Sequence, residues 1–440
     1  MGILGRNYLH TLVSNFVLKF AIGLVIGVVS ARGLGPAGRG EYALLALIIT
    51  TVTTLLNFGV PGTNTYFTAQ KKFGKELLYK ASIILAVVIS VASFVILYLL
   101  YHFNLFYILF PAEKLSFPII ASLGIIPIVL FNLFGQSIIV GENKIALNNY
   151  IALSGQGALA VALALMYVTS TLSVTSAIVA FSLSHLLAFA MVVKTSFPRL
   201  SDVLRAHIRW SDYRTMLTYS ITLHVGNLTQ FFNYRLDAFI VNYFLGTAAV
   251  GLYLIASSLG ETLWLVSGSM ANVLLPTIAG QHEKSKEIAV KAAIGIFGLS
   301  LVGGALALLV GPTLIPLLFG KEFTGSIAPF LILVPGVVVF TITNVLSAYL
   351  AGVGKVRYTA SISFISFLFT VFLDIFLIPR YGIQGAATAS FISYALSTVL
   401  TIIAFVKVSG MSGSDFIKVA GSLSHDFQNI TNRLREKFKI

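Results

Sequence analysis

Four ionisable residues lie deep inside apolar stretches of this 440-residue chain: Lys19, Arg235, Asp237 and Glu261. A charged side chain at the centre of a membrane helix costs about 2.5–3.5 kcal/mol on translocon scales. Because such residues avoid lipid, they mark substrate or ion pathways in membrane proteins. We therefore treat the helix faces that carry them as the candidate functional surfaces.

The stretch that carries Arg235 and Asp237 has one polar face. Residues two apart on a helix point about 160° away from each other, so this pair cannot form a salt bridge within a regular helix. A polar face of this width suits a water-filled lumen. Alternatively, Arg235 reaches the lipid headgroups by snorkelling. The residues in the arc between the pair are His224, Asn227, Gln230 and Tyr234.

Two other stretches carry polar stripes. In the stretch that carries Lys19, one half of the stripe is polar and is predicted to line a cavity, while the other half consists of glycines and allows close helix packing. In the stretch that carries Glu261, this carboxylate either pairs with a cation from another helix or changes its protonation state during transport. We predict that Asp374 lies at the membrane–water interface. We also predict that His185 is a packing residue rather than a proton carrier. The first stripe consists of Thr11, Asn15, Lys19, Gly23 and Gly27.

Composition places all of these residues in an integral membrane protein. The chain is 57% hydrophobic and 10% charged, with a mean hydropathy of +0.93, whereas soluble domains have about 25% charged residues. Its apolar runs have the length of membrane helices. The twelve predicted spans are 11–31, 41–66, 77–101, 117–140, 146–170, 174–194, 215–243, 248–279, 290–312, 326–351, 356–378 and 382–406.

The basic residues predict the orientation. Most of the 29 Lys and Arg residues fall on the side of the N-terminus, and the opposite loops hold only Arg32, Arg39, Lys114, Lys321 and Arg380. Since cytoplasmic loops are rich in Lys and Arg, both termini are predicted to be cytoplasmic in a cell (inner or plasma) membrane. The net charge of +14 thus indicates contact with anionic membrane lipids rather than with nucleic acid.

Two short segments recur 211 residues apart. Leu34–Tyr42 resembles Leu245–Tyr253, and Gly141–Lys144 resembles Gly352–Lys355. This repeat predicts two six-helix lobes related by a pseudo-two-fold axis along the membrane normal. The predicted domains are an N-terminal lobe (1–194), a linker (195–214), a C-terminal lobe (215–406) and a basic cytoplasmic tail (407–440). The linker is either an amphipathic surface helix or a solvated basic segment.

Motifs of soluble enzymes are absent from the sequence. It has no Gly-rich phosphate loop followed by Lys-Ser or Lys-Thr, no His-Glu-x-x-His motif and no cysteine. We therefore expect no cofactor, no metal site and no catalytic residue. An ion gradient or the gradient of the substrate itself would have to drive any transport.

The motifs around the deep charges resemble those of the polysaccharide transporter family. Its members are lipid-linked oligosaccharide flippases, including the O-antigen and surface-polysaccharide type, of the multidrug/oligosaccharidyl-lipid/polysaccharide superfamily. Twelve spans match the surface-polysaccharide branch, since the peptidoglycan-precursor branch usually has two more. The resemblance is carried by Arg235-Leu236-Asp237, Leu245-Gly246, Val250-Gly251-Leu252-Tyr253, Ala256, Leu259 and Pro276, and by Arg32-Gly33-Leu34-Gly35 with Gly40-Glu41-Tyr42.

The resemblance implies an all-α membrane protein with a V-shaped cationic cavity. It implies a flippase that turns a lipid-diphosphate-linked oligosaccharide from the cytoplasmic to the outer leaflet, beside glycosyltransferases and a polymerase. Lys19 and Arg235 would bind the diphosphate, and Asn15, Asn227 and Gln230 would contact sugar hydroxyls. Asp237 or Glu261 would couple transport to H⁺ or Na⁺. The alternatives are a multidrug or cation antiporter of the same superfamily and a membrane scaffold without transport.

Overall fold

The structure is a computed structural model that describes residues 3–103, 124–280 and 285–412, together with residues 419 and 421. Within this part the chain is helical nearly throughout. The helices are α1 (Ile3–Leu56), α2 (Val60–Ala69), α3 (Lys75–His102), α4 (Ile126–Gly141), α5 (Ile145–Val168), α6 (Val174–Ser196), α7 (Leu200–Arg205), α8 (Trp210–Leu245), α9 (Thr247–Glu261), α10 (Trp264–Gly280), α11 (Ser285–Phe319), a 3₁₀ helix (Lys321–Ser326), α12 (Ile327–Gly352) and α13 (Val356–Ser409).

The described helices have the lengths and composition of a multi-pass membrane protein. Among them, seven are long and apolar enough to cross a membrane, or eight if the bent pair α9 and α10 is one span. The helices α1 and α13 are each 54 residues long and kinked at Gly35 and Gly382. Since about 20 residues cross a bilayer, each can supply two crossings. With α4 and α8, these helices accommodate the twelve predicted spans.

Two predicted spans are broken where we expected continuous helices. The predicted span 41–66 is interrupted between α1 and α2, where Phe58 and Gly59 have φ values of 48° and 77°. Pro61 follows in the first turn of α2, a position that proline favours because its missing N–H has no helical partner there. The predicted span 248–279 is bent by 48° between Glu261 and Trp264. The start of the predicted span 117–140 lies outside the described residues.

One repeated segment forms the same turn twice. Asn143 and Gly354, which are 211 residues apart, both have left-handed φ values, of 61° and 75°. The backbone N–H of Lys144 donates to the carbonyl of Ile139, and that of Lys355 donates to the carbonyl of Leu350. Both turns therefore end their helices with the Schellman pattern of hydrogen bonds.

The other repeated segment brings its two copies into contact. A Cβ atom added to Gly40 would collide with the carbonyl oxygen of Thr247, and one added to Gly251 would collide with that of Pro36. Gly40 and Gly251 are 211 residues apart, as are Pro36 and Thr247. The contact is therefore reciprocal, as a pseudo-two-fold axis between the copies requires.

The chain packs as two compact units. One comprises Met1–Leu254 with Leu317–Phe323, and the other comprises Ile255–Pro316 with Thr324–Ile440. In the first unit, Leu130 and Phe134 are fully buried in a core between α1, α3, α4, α5 and α6. The second unit has its own core, built from α10 to α13. The lobe boundary at 195–214 stays a prediction, because packing does not define internal symmetry.

The segment predicted as an amphipathic linker contains the short helix α7 between the end of α6 at Ser196 and the start of α8 at Trp210. The ammonium group of Lys80 donates to the carbonyls of Leu204 and Ala206, at 2.7 and 2.8 Å. Val203 is buried, whereas Leu200 and Leu204 are exposed. The apolar face that we predicted is thus divided between the protein interior and the surface. Its contact with a membrane stays a prediction.

An ion cluster joins α3 to the turn between α4 and α5. The Glu142 carboxylate lies 2.7 Å from the Lys75 ammonium and 2.9 Å from that of Lys144. Burial by itself raises the pKa of the Glu142 carboxyl, but both lysines outweigh this effect and hold that pKa below its ordinary value.

The glycine contact predicts a coupled loss of stability. We expect Gly40→Ala and Gly251→Ala each to destabilise the protein by about 1–3 kcal/mol, because each added methyl group overpacks the crossing. The double variant should lose less than the sum, since the first methyl group already separates the backbones. Thermal unfolding of the purified protein measures both effects. Gly298→Ala, which meets no atom within 4 Å, is the control, and equal behaviour of all the variants would contradict the prediction.

The ion cluster predicts a pH-dependent stability. We expect Glu142→Gln to lower the unfolding free energy by about 0.5–1 kcal/mol at neutral pH, because two ion pairs are lost. Since the folded-state pKa is lowered, this contribution is complete above the unfolded pKa of about 4.3 and is lost as the pH falls through the folded value. The unfolding midpoints of wild type and variant should therefore converge in acid. The control is Glu287→Gln, because exposed Glu287 has no ion pair among the described residues.

Candidate functional site

A polar cavity lies inside the first unit, between α1, α4, α5 and α6. Its volume is about 600 Å³, within the range of about 300–1,000 Å³ that is typical of ligand sites. The lining residues come from three consecutive helices, α4 to α6, and from α1, which is distant from them in sequence. They are Lys19, Gly23, Ile26, Thr50, Val129, Asn132, Leu133, Gln136, Ala152, Gly155, Gln156, Leu159, Phe181, Ser184, His185 and Ala188.

Lys19 supplies the charge of this cavity. Its ammonium group donates to Oδ1 of Asn149, on the first turns of α5, at 3.2 Å. The described lining contains no aspartate or glutamate. Since an ammonium group has three donors and one is used here, Lys19 can also bind an anionic group in the cavity. The structure thus places this predicted residue where a ligand could reach it.

Amide side chains form the wall provided by α4 and α5. Asn132 and Gln136 lie one turn apart on α4, and Gln156 lies on α5. The Asn132 side chain donates through Nδ2 to the carbonyl oxygen of His185, at 2.8 Å. Its Oδ1 is buried and has no hydrogen-bond partner among the described residues. Our sequence interpretation missed this wall; the only signal was a pair of amides four residues apart in an apolar helix.

His185 lines the same cavity. Its Nδ1 lies 3.0 Å from the carbonyl oxygen of Phe181, which can only accept a hydrogen bond. We therefore assign the proton of the neutral ring to Nδ1 from this hydrogen bond. The backbone carbonyl of His185 orients Asn132. The backbone of this residue thus supports the polar wall, and the assignment of its side chain as a packing residue stays a prediction.

Arg235 and Asp237 are absent from the described lining of this cavity. The Arg235 guanidinium donates to the carbonyl of Tyr234 at 3.3 Å. Asp237 is buried and accepts a 2.5 Å hydrogen bond from the Tyr253 hydroxyl and a 2.7 Å bond from the N–H of Ala238. The two residues therefore do not meet Lys19 across this cavity, and their functional roles stay predictions.

The polar face of α8 is partly packed against neighbouring helices. Nε2 of His224 lies 2.9 Å from the carbonyl oxygen of Leu55, at the end of α1. The hydroxyl groups of Ser220 and Thr63 lie 2.6 Å apart. This part of α8 therefore packs against the break between α1 and α2, which leaves a carbonyl group for His224 to bind, and the lumen along the rest of the polar face stays a prediction. The side chains of Asn15, Asn227 and Gln230 lie outside the part that the structure describes.

Two further acids occupy the second unit. Glu261 is the last residue of α9, at the bend to α10. Asp374 is fully buried, so it packs inside the protein, and its predicted position at the membrane–water interface stays a prediction. It continues a polar face of α13 with Ser366 and Thr370, whose hydroxyls pair with Ser397 and Ser393. Across the described chain, no group of three or more His, Asp or Glu residues could hold a metal ion.

A second cavity of about 630 Å³ lies at the predicted inner ends of α2 and α8. Lys72 and Arg214 give it positive charge. The rings of Tyr66 and Tyr219 stack there with centroids 4.5 Å apart. Cations beside an aromatic surface suit an anionic headgroup that carries a sugar.

Among known proteins, one relative is the probable low-salt glycan biosynthesis flippase Agl15 of Haloferax volcanii. It is 25% identical over 236 residues, which is 52% of this chain and 50% of that protein. The probable flippase AglR of the same organism is 24% identical over 203 residues, 42% of this chain and 40% of that protein. This chain spans about half the length of the relatives that it matches.

Solved structures share the fold over most of the chain. An inward closed lipid II flippase MurJ has a TM-score of 0.74 at 14% identity, covering 93% of this chain and 90% of that one. The inward-facing form of a multidrug resistance transporter has a TM-score of 0.70 at 17% identity, covering 92% and 94%. These similarities confirm the all-α fold of the superfamily predicted from the sequence.

The sequence match to a family is independent of these structural similarities. Residues 4–282 match the family described as "Polysaccharide biosynthesis protein". This segment covers more than half of the chain and includes Lys19, the cavity walls and both copies of the first repeated segment. The chain belongs to the polysaccharide biosynthesis protein family.

Proposed function

We propose that this protein is a flippase for lipid-diphosphate-linked oligosaccharides. It would move them from the inner to the outer leaflet by alternating access, for the synthesis of a surface polysaccharide or glycan. The observation that carries this proposal is the cavity polarity: one cation and several amides, without a carboxylate in the described lining. Family membership and relatives described as probable flippases support it.

In this proposal Lys19 binds the diphosphate. A hydrogen bond to a charged group contributes about 1.5–3 kcal/mol in proteins. Asn149 holds the ammonium group in place without neutralising it, because the amide oxygen carries no formal charge. Lys19 can therefore exchange its neutral partner, the side-chain amide of Asn149, for the anionic diphosphate of the substrate.

The alternative of a multidrug or cation antiporter predicts the opposite polarity. A cationic substrate requires an acidic residue in its site, and a lysine would repel it. The described cavity lining offers Lys19 and no acid. We therefore favour an anionic substrate and a transport role over catalysis.

The direction of transport follows from the predicted topology. With both termini cytoplasmic, the second cavity with Lys72 and Arg214 opens at the inner leaflet, where glycosyltransferases would deliver the substrate. Tyr66 and Tyr219 would meet its sugars there, and a polymerase would act after release. Anionic lipids would surround the basic inner loops of this cell-membrane protein.

Ion coupling is proposed at Glu261 in preference to Asp237. Broken helices inside a membrane commonly form ion sites in transporters, and Glu261 lies at the 48° bend between α9 and α10. Asp237 is buried and hydrogen-bonded to Tyr253, an arrangement that equally serves packing. H⁺ and Na⁺ are the candidate ions.

The charge of Lys19 predicts a specific loss of transport. In proteoliposomes with a fluorescent polyprenyl diphosphate–N-acetylglucosamine lipid, we expect Lys19→Gln to slow translocation about 10- to 100-fold, the equivalent of one charged hydrogen bond. Lys19→Arg should retain most of the rate. Loss of accessibility of the label to an impermeant quencher measures the rate. Lys321→Gln, at an exposed lysine outside the cavity, is the control; a normal rate in Lys19→Gln would refute the assignment.

The position of Glu261 predicts a loss of coupling. We expect Glu261→Gln to abolish the acceleration of translocation by an imposed Na⁺ or pH gradient, because a neutral amide neither binds a cation strongly nor titrates. Slow translocation without a gradient should persist. Glu287→Gln serves as the control at an exposed acid. Unchanged gradient dependence in Glu261→Gln would exclude this residue as the coupling site.

A further inference from the structure

We infer that the amide wall of the Lys19 cavity is a subsite for the hydroxyl groups of neutral sugars. The subsite comprises Asn132, Gln136 and Gln156, oriented by the backbone of His185. This inference rests on the proposed function, since it assigns the sugar end of the same lipid-linked substrate. It adds a second binding determinant, separate from the charge of Lys19.

One hydrogen bond fixes the orientation of the Asn132 side chain. Because the His185 carbonyl can only accept, it fixes Nδ2 of Asn132 as the donor on that side. Oδ1 is therefore directed elsewhere, and it is buried without a partner among the described residues. Since buried polar atoms are nearly always hydrogen-bonded, this enclosed oxygen is an unused acceptor in the wall of the cavity, and it can accept a hydrogen bond from a ligand once the side chains that cover it move aside. A sugar hydroxyl is a donor of the right kind.

Two neighbouring glutamines have side chains that suit sugar hydroxyls. Gln136 and Gln156 line the same cavity, and neither makes a side-chain hydrogen bond to another described residue. Each amide offers donors and an acceptor, which match sugar hydroxyls, since these both donate and accept. The described wall carries no charge of its own, so it suits neutral sugars better than charged ones.

The charge of Lys19 and the amide of Gln156 are separated along α5. Lys19 is bonded to Asn149, and Gln156 lies about two turns, or 10 Å, further along α5. A diphosphate at Lys19 would therefore leave room for attached sugars to reach the amide wall. On the predicted topology, the sugars point towards the outer side while the diphosphate stays nearer the inner leaflet.

The repeat provides a contrast within the same chain. The residues 211 positions after Asn132, Gln156 and His185 are Thr343, Phe367 and Leu396. The hydroxyl of Thr343 is paired with that of Thr398, at 2.9 Å. The second unit thus lacks the amide wall at the corresponding described positions, and the subsite belongs to the N-terminal half alone.

Binding of two lipids to the full-length protein in nanodiscs tests the inference. The probes are a polyprenyl diphosphate without sugar and the same lipid carrying N-acetylglucosamine. We expect wild type to bind the glycosylated probe about tenfold tighter. Asn132→Leu and Gln156→Leu should remove most of this difference and leave the affinity for the sugar-free probe unchanged. Lys19→Gln should weaken both probes.

Gln384→Leu, at an exposed amide outside the cavity, is the matched control. Asn132→Leu removes a hydrogen bond to the His185 carbonyl and could therefore disturb folding. Gln156→Leu keeps the test valid in that case, because Gln156 is exposed and makes no described hydrogen bond. Equal wild-type affinity for both probes, or a uniform loss of both in Asn132→Leu and Gln156→Leu, would overturn the sugar subsite and leave the proposed function standing. Failure of wild type to bind either lipid would instead overturn the proposed function, and the subsite with it.

Discussion

The rest of the first unit depends on the backbone crossing of Gly40 and Gly251. Each glycine lies against a carbonyl group of the other copy of the repeated segment, so that no side chain fits between them. Close contact of this kind lets two apolar helices gain dispersion energy where lipid supplies no hydrophobic force. Gly35 and Gly246 precede the crossing with nearly identical conformations (φ 66° and 79°, ψ 178° and 179°).

From this shared framework the two halves diverge in their polar chemistry. The N-terminal half uses space between four helices for a cavity with Lys19 and amides. The corresponding region of α12 and α13 places hydroxyl groups against one another, including Ser366 with Ser397. A hydroxyl pair closes a helix interface because it is small and satisfies itself. The two halves therefore share repeated backbone features but differ in their ligand-binding groups.

The sequence predicted those features that depend on local or repeated patterns. Apolar length gave the spans, and the repeat gave the turns at Asn143 and Gly354, since a left-handed residue and its hydrogen bonds are local properties. The amide wall could not be found in this way, because Asn132 and Gln156 meet only after α4 and α5 pack. The burial of Asp374 was missed for the same reason, because it depends on which helix covers this residue. Lys19 was predicted from the sequence because a cation inside an apolar stretch indicates a functional residue even before its neighbours are known.

The reciprocal crossing also bears on how this fold could have arisen. A contact in which Gly40 meets Thr247 while Gly251 meets Pro36 has the form of an isologous dimer interface. A six-helix ancestor with one such glycine could have made it with a second copy of itself. Duplication and fusion would have preserved the interface while freeing each half to change. The lysine and amides of one half, and the paired hydroxyls of the other, are the kind of divergence that a homodimer of identical chains cannot evolve.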